Sequence, residues 1–165
     1  MYMPNKPAKH GIKLMCLTDA HNSYFLNSYI YVGKNSNEMT LSDEERKFTK
    51  PTQSVLRLTA PISGSNRNIT ADYWFSSAEL VRELRTLTYT GTLKKNKREV
   101  PKQFLPDKTR EVGSSMYGFT DDMTVVPLLS MHHSKCTDAT NNKPEIIFYN
   151  ATKSGMDTMD LKYAN

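Results

Sequence analysis

Asp72 is the residue whose place says most. A short run of strand-forming residues, Asn68 to Asp72, ends on this carboxylate just before a helix-start pattern at Ser76-Ser77-Ala78-Glu79. In a strand–helix–strand unit, functional groups collect where the strand's carboxyl end turns into the helix. Downstream, Lys94-Lys95-Asn96-Lys97-Arg98 concentrates positive charge, suited to phosphate contact, although a solvated basic loop has the same composition. Asp157 and Asp160, three residues apart, would share one helix face. Acids at a helix start are also what the helix dipole favours, and spacing alone prefers that plainer reading. His132-His133 with Cys136 offers soft-metal ligands, but a zinc site needs three or four that converge, so this stretch reads as a polar loop. Trp74 and Phe75 could stack on bases; next to a helix start they are expected to pack as its hydrophobic staple.

The elements that must position these residues follow from periodicity. Ile12 to Thr18 and Tyr24 to Val32 read as strands, joined by turn chemistry over Asp19 to Ser23, which predicts a hairpin. Lys34 to Lys50 is polar and reads as a loop, and Ser54 to Leu58 opens a short helix that Pro61 ends. Ser76 and Glu79 have the spacing of a capping box. Leu80, Val81, Leu84 and Leu87 then recur at helical spacing, and Leu87 to Leu93 alternates with threonines at the period of a strand. A strand, a helix and a strand in this order predict a parallel crossover. Beyond a basic excursion to about Arg110, Ser115 to Phe119 and Met123 to Met131 read as strands, with Pro127 confining the second to an edge. Pro144 to Tyr149 is a further apolar run, and Met156 to Asp160 looks helical.

Composition narrows the classes. The chain has 165 residues, 38% hydrophobic and 24% charged, which fits one globular domain rather than a disordered tail. No apolar run approaches the ~18 residues of a membrane span. Two cysteines, Cys16 and Cys136, exclude a disulfide framework and a four-cysteine zinc site, so a reducing compartment, nuclear or cytoplasmic, is expected. The net charge of +5 is uneven: Arg82 to Arg110 holds nine Lys or Arg against three acids, and the rest of the chain sums to −1. A basic segment of this kind points to a polyanion, nucleic acid being the commonest.

Four blocks carry a resemblance. Met3-Pro4-Asn5-Lys6-Pro7 with Gly11-Ile12-Lys13 resembles the opening of the second strand in piggyBac-type transposases. Asn68-Ile69-Thr70-Ala71-Asp72-Tyr73-Trp74-Phe75-Ser76-Ser77 is similar to that family's second catalytic block, and Gly91 to Pro101 to a further one. Lys143 to Ile147, Tyr149-Asn150 and Thr152 to Asp157 resemble the block holding the third acidic ligand. The order is the family's, and the blocks span nearly the whole chain.

The resemblance implies an α/β, ribonuclease-H-like mixed sheet flanked by helices that cuts and joins DNA with paired divalent metals, Mg²⁺ or Mn²⁺. Hard cations of this kind take oxygen ligands, and two of them stabilise the attacking and leaving oxygens of in-line phosphoryl transfer. It carries Asp72 over as the second carboxylate, Asp157 as the third and Asp160 as a further family aspartate, with Lys94, Lys95, Lys97 and Arg98 as DNA-contact candidates. The family's first carboxylate lies upstream of the Pro-Asn-Lys-Pro block, and residues 1 to 18 contain no Asp or Glu. Asp19 does not replace it and reads as a turn residue. After Phe119, Thr124-Val125-Val126 runs straight into Pro127-Leu128-Leu129, as though a turn were deleted, and the family's long helix after the third acid is cut at Asn165.

The expectation is therefore one partial catalytic domain over residues 1–165, its first strand missing and its last helix truncated, with a basic insertion-like segment at about 94–112. As a remnant it would not cleave DNA alone. The alternatives are a domesticated, non-catalytic module binding DNA or a transposase, and an active enzyme whose first Asp comes from an upstream exon. DNA is the expected partner, with a second copy or a full-length transposase beside it, and no membrane.

Overall fold

A computed structural model describes residues 2, 10–33, 42–94, 97–105, 109 and 144–158. They fall into two compact units, residues 1–61 with 155–165 and residues 62–154. The strands expected over Ser115–Phe119 and Met123–Met131, the His132-His133-Cys136 stretch, Lys95 and Asp160 lie outside the described residues.

The first unit is built on a hairpin. Strands β1 (Leu14–Thr18) and β2 (Phe25–Ile30) pair antiparallel, with Leu14 opposite Ile30 and an irregularity at Leu17/Thr18. The turn is held by side chains that imitate backbone: Asp19 Oδ1 accepts from the amides of His21 (2.9 Å) and Asn22 (3.0 Å), and Asn22 Oδ1 from that of Tyr24 (2.8 Å). This is the local bonding that makes Asp and Asn turn formers, so Asp19 is a turn residue as expected.

Helix α1 runs over Lys50–Thr59. It is longer than the expected Ser54 to Leu58, because Pro51 in its first turn has its φ set for helix and needs no N–H partner there. The helix ends just before Pro61, as expected, and Pro61 sits in a 3₁₀ turn, Ala60–Ile62, that tightens the end. Met15, Tyr29, Val55 and Leu58 are the buried apolar residues among the described residues of this unit. Asn27 Nδ2 donates to the Leu58 carbonyl (2.9 Å), tying hairpin to helix. The polar stretch before α1 is not all loop: Ser42 and Glu45 form a capping box on a short 3₁₀ turn, Glu45–Lys47.

In the second unit β3 (Asn68–Ala71) and β4 (Thr88–Gly91) pair parallel, Ala71 opposite Gly91, with α2 (Ala78–Glu83) between them in sequence. The expected parallel crossover is present. Ile69, Leu80, Val81, Leu84, Leu87 and Tyr89 are buried, so the periodic stripe forms core, although α2 ends before Leu84 and Leu87. Arg85, at φ 46°, turns the chain out of the helix. The helix cap is Ser77, whose hydroxyl accepts from the Leu80 amide (3.0 Å), not the expected Ser76. Pro144 to Tyr149 belongs to a helix, α3 (Pro144–Thr152), that lies against β4. Its Thr152 hydroxyl meets that of Thr70 at 2.8 Å.

Candidate functional site

Residues 72–77 form the link from β3 to α2, and Asp72 opens it. Its carbonyl accepts from the amides of Phe75 (3.2 Å) and Ser76 (3.3 Å) and from the Ser76 hydroxyl (2.9 Å). Its side chain is exposed, with Oδ1 accepting from the Trp74 amide at 2.9 Å. The carboxylate is thus aimed by its own turn while remaining in water, its oxygens open to a cation.

Below it the chain is dry. The Ser76 hydroxyl also meets the Tyr89 phenol at 2.8 Å, with Ser76 fully buried and Tyr89 nearly so. Burial, partly offset by the bond to Ser76, pushes the Tyr89 phenol well above its ordinary value, with Asp72 and Tyr149 adding in the same direction. Gly91 leaves room for this pair: a Cβ there would stand 2.6 Å from Ser76 Oγ and 2.7 Å from the Tyr89 hydroxyl.

Described residues of the basic segment fold back onto the same turn and the start of α2. The Lys94 ammonium sits 4.3 Å from the centre of the Tyr73 ring, a cation–π contact. The Lys97 ammonium donates to the Ser76 carbonyl, and Glu99 Oε2 accepts from the Ala78 amide (3.0 Å), one of the orphan donors at the start of α2. Arg98 is exposed. Trp74 and Phe75 do not take the staple position, which belongs to Ser76, the residue before the cap; they meet each other edge to face, ring centres 4.7 Å apart.

Of the carboxylates singled out from sequence, Asp72 lies in the second unit and Asp157 in the first, exposed on a helical turn over residues 155–158. That turn starts at Gly155, where a Cβ would come within 3.0 Å of Ala20 Cα in the hairpin turn. Among the described residues no group of three or more His, Cys, Asp or Glu side chains gathers that could hold a metal ion. Sequence reasoning missed the Ser76–Tyr89–Gly91 cluster and the Glu99 contact. The one sequence signal for the cluster is a large aromatic and a glycine two apart in a strand, hence on one face.

An acid directly after a parallel strand and before a capped helix is the arrangement that the second of the four sequence blocks implies. The family model described as Transposase IS4 matches residues 1–161. The chain belongs to the IS4 transposase family. It is also similar to a chain in the cryo-EM structure of a piggyBac transposase synaptic complex with hairpin DNA, with a TM-score of 0.83 and 32% sequence identity. The match covers 99% of this chain and 36% of that one. The mixed α/β architecture of this IS4-family chain is therefore structurally similar to part of a piggyBac transposase, and the chain is a transposase domain related to it.

Proposed function

We propose that the chain is a segment of a ribonuclease-H-like catalytic domain of a piggyBac-type cut-and-paste transposase, acting on DNA in the nucleus. In this reading Asp72, Asp157 and Asp160 are its carboxylates, Asp72 and Asp157 being ligands for Mg²⁺ or Mn²⁺. Lys94, Lys95, Lys97 and Arg98 face DNA phosphates. The observation that carries it is the Asp72 turn: an exposed, amide-oriented carboxylate at the carboxyl end of a parallel strand, with cationic side chains folded beside it. The similar chain's complex with hairpin DNA supports DNA as the partner.

Carboxylate oxygens suit hard cations, but residues 1–18 offer no Asp or Glu to serve as the family's first carboxylate, so the ligand set is incomplete. The chain alone is therefore expected to be inactive. Incubated with supercoiled plasmid and Mg²⁺ or Mn²⁺, it should leave the plasmid intact; metal-dependent nicking abolished by Asp72→Ala would overturn this.

The same incompleteness favours a second reading, a non-catalytic module that binds DNA or a transposase. It predicts duplex binding that weakens steeply with salt, survives Asp72→Ala, and is lost on charge reversal of Lys95, Lys97 and Arg98. Fluorescence anisotropy on folded variants decides it: no binding by the unaltered chain removes DNA as its partner, and equal binding by the reversed one removes the basic segment as the DNA-binding site.

A further inference from the structure

We infer that the buried Ser76–Tyr89 pair, in the space left by Gly91, is a positioning device for the Asp72 carboxylate. This rests on Asp72 being a functional carboxylate, as proposed above.

The direction of the two bonds follows from chemistry. A carbonyl only accepts, so the Ser76 hydroxyl donates its one proton to the Asp72 carbonyl (2.9 Å). The Tyr89 phenol must then donate to Ser76 Oγ (2.8 Å). A chain of two aligned hydroxyls runs from β4 through the interior to the backbone of Asp72, and each bond polarises the next. With the amides of Phe75 and Ser76 this gives the Asp72 carbonyl three donors, while the Trp74 amide holds the carboxylate itself. The ends contrast: Ser76 and Tyr89 are 0% and 1% exposed, and Asp72 stands in solvent.

Each member is a poor choice for packing alone. Two buried hydroxyls carry a desolvation cost that Ala and Phe would avoid, and glycine inside a strand weakens it. A side chain at Gly91 would collide with both partners, at 2.6 Å and 2.7 Å. All three make sense together if the turn carbonyl has to be held from beneath. Tyr89 and Ser76 are then positioning residues, touching no substrate.

The test is amide hydrogen exchange by NMR on the full, metal-free chain. Tyr89→Phe, which deletes one oxygen, and Ser76→Ala should each lower protection of the Trp74 and Phe75 amides by about tenfold. The amides of Leu84 and Thr88, bonded elsewhere in the same unit, should keep theirs. Unchanged Trp74 and Phe75, or a parallel fall at all four, would overturn the inference, the second result marking the pair as ordinary core. If neither variant folds, the unaltered chain still decides: the Tyr89 hydroxyl proton should exchange slowly enough to give a resolved resonance, and its absence overturns the inference. Mn²⁺ tests the underlying reading separately. It should broaden the signals of Trp74, the chain's single tryptophan, and not do so in Asp72→Asn. Equal broadening in both, or none, removes Asp72 as a metal ligand while the exchange data still judge the positioning.

Discussion

Gly91 carries a constraint that its lack of a side chain conceals. The period of two puts it on the same strand face as Tyr89, and the Tyr89 phenol fills the volume a Cβ would need. Gly91→Ala is expected to destabilise the protein by about 1–3 kcal/mol, the usual cost of overpacking, seen as a lower urea midpoint with unchanged slope. Tyr89 itself adds a pH dependence. Burial raises its folded pKa above the ordinary tyrosine value, so above about pH 10 the unfolded chain loses this proton and the folded chain keeps it. The phenol's contribution is thus fully present below about pH 10 and declines as pH rises further. Urea unfolding between pH 8 and 11 should show stability falling at the alkaline end, and Tyr89→Phe should flatten that fall.

At the scale of elements, the hairpin and α1 show what local pattern can specify. Asp19 and Asn22 bond within their own turn, so the hairpin is legible from a few adjacent residues. Two capping patterns were available, and the reciprocal one formed at Ser42 and Glu45. At Ser76 the hydroxyl donates to the Asp72 carbonyl and accepts from Tyr89 instead, and Ser77 takes the cap. Neighbouring serines look alike in sequence; a partner thirteen residues away separates them. Pro144–Thr152 was legible only as apolar, because a short apolar run does not reveal its period. Within the first unit, Tyr29 is 7% exposed and its hydroxyl has no hydrogen-bond partner among the described residues. The Arg57 guanidinium over its ring, 3.9 Å from the centre, needs only the ring. Tyr29→Phe should therefore be neutral or stabilising by up to about 1 kcal/mol, read from thermal or urea unfolding.

For the molecule as a whole, the segment from Arg82 to Arg110 carries +6 while the rest sums to −1. The structure divides the duties of its cations. Lys94 sits over Tyr73 and Lys97 is bonded to Ser76, both on the Asp72 turn, whereas Arg98 is exposed. If the chain binds duplex DNA, Arg98→Ala should weaken binding across all sequences and reduce the steepness of log K against log salt by about 0.9, one phosphate contact's worth. Lys97→Ala should in addition alter the emission of Trp74, whose amide bonds Asp72 in that turn. Anisotropy and fluorescence titrations over a salt series would measure both.

The sequence by itself determined the hairpin, the strand–helix–strand order, the place of Asp72 at a strand end, the concentration of basic charge and the family. Each is written in adjacent residues or in a short period, because turn bonding, strand alternation and helical stripes join near neighbours. Only the tertiary structure decided which serine caps α2, that Tyr89 reaches Ser76 through a gap at Gly91, and that Lys97 returns to the Asp72 turn and Glu99 to the start of α2, each across 21 residues. Those partners meet because β3 and β4 pair in one register, with Ala71 opposite Gly91. A register is a relation between two strands, and neither strand's sequence states it alone.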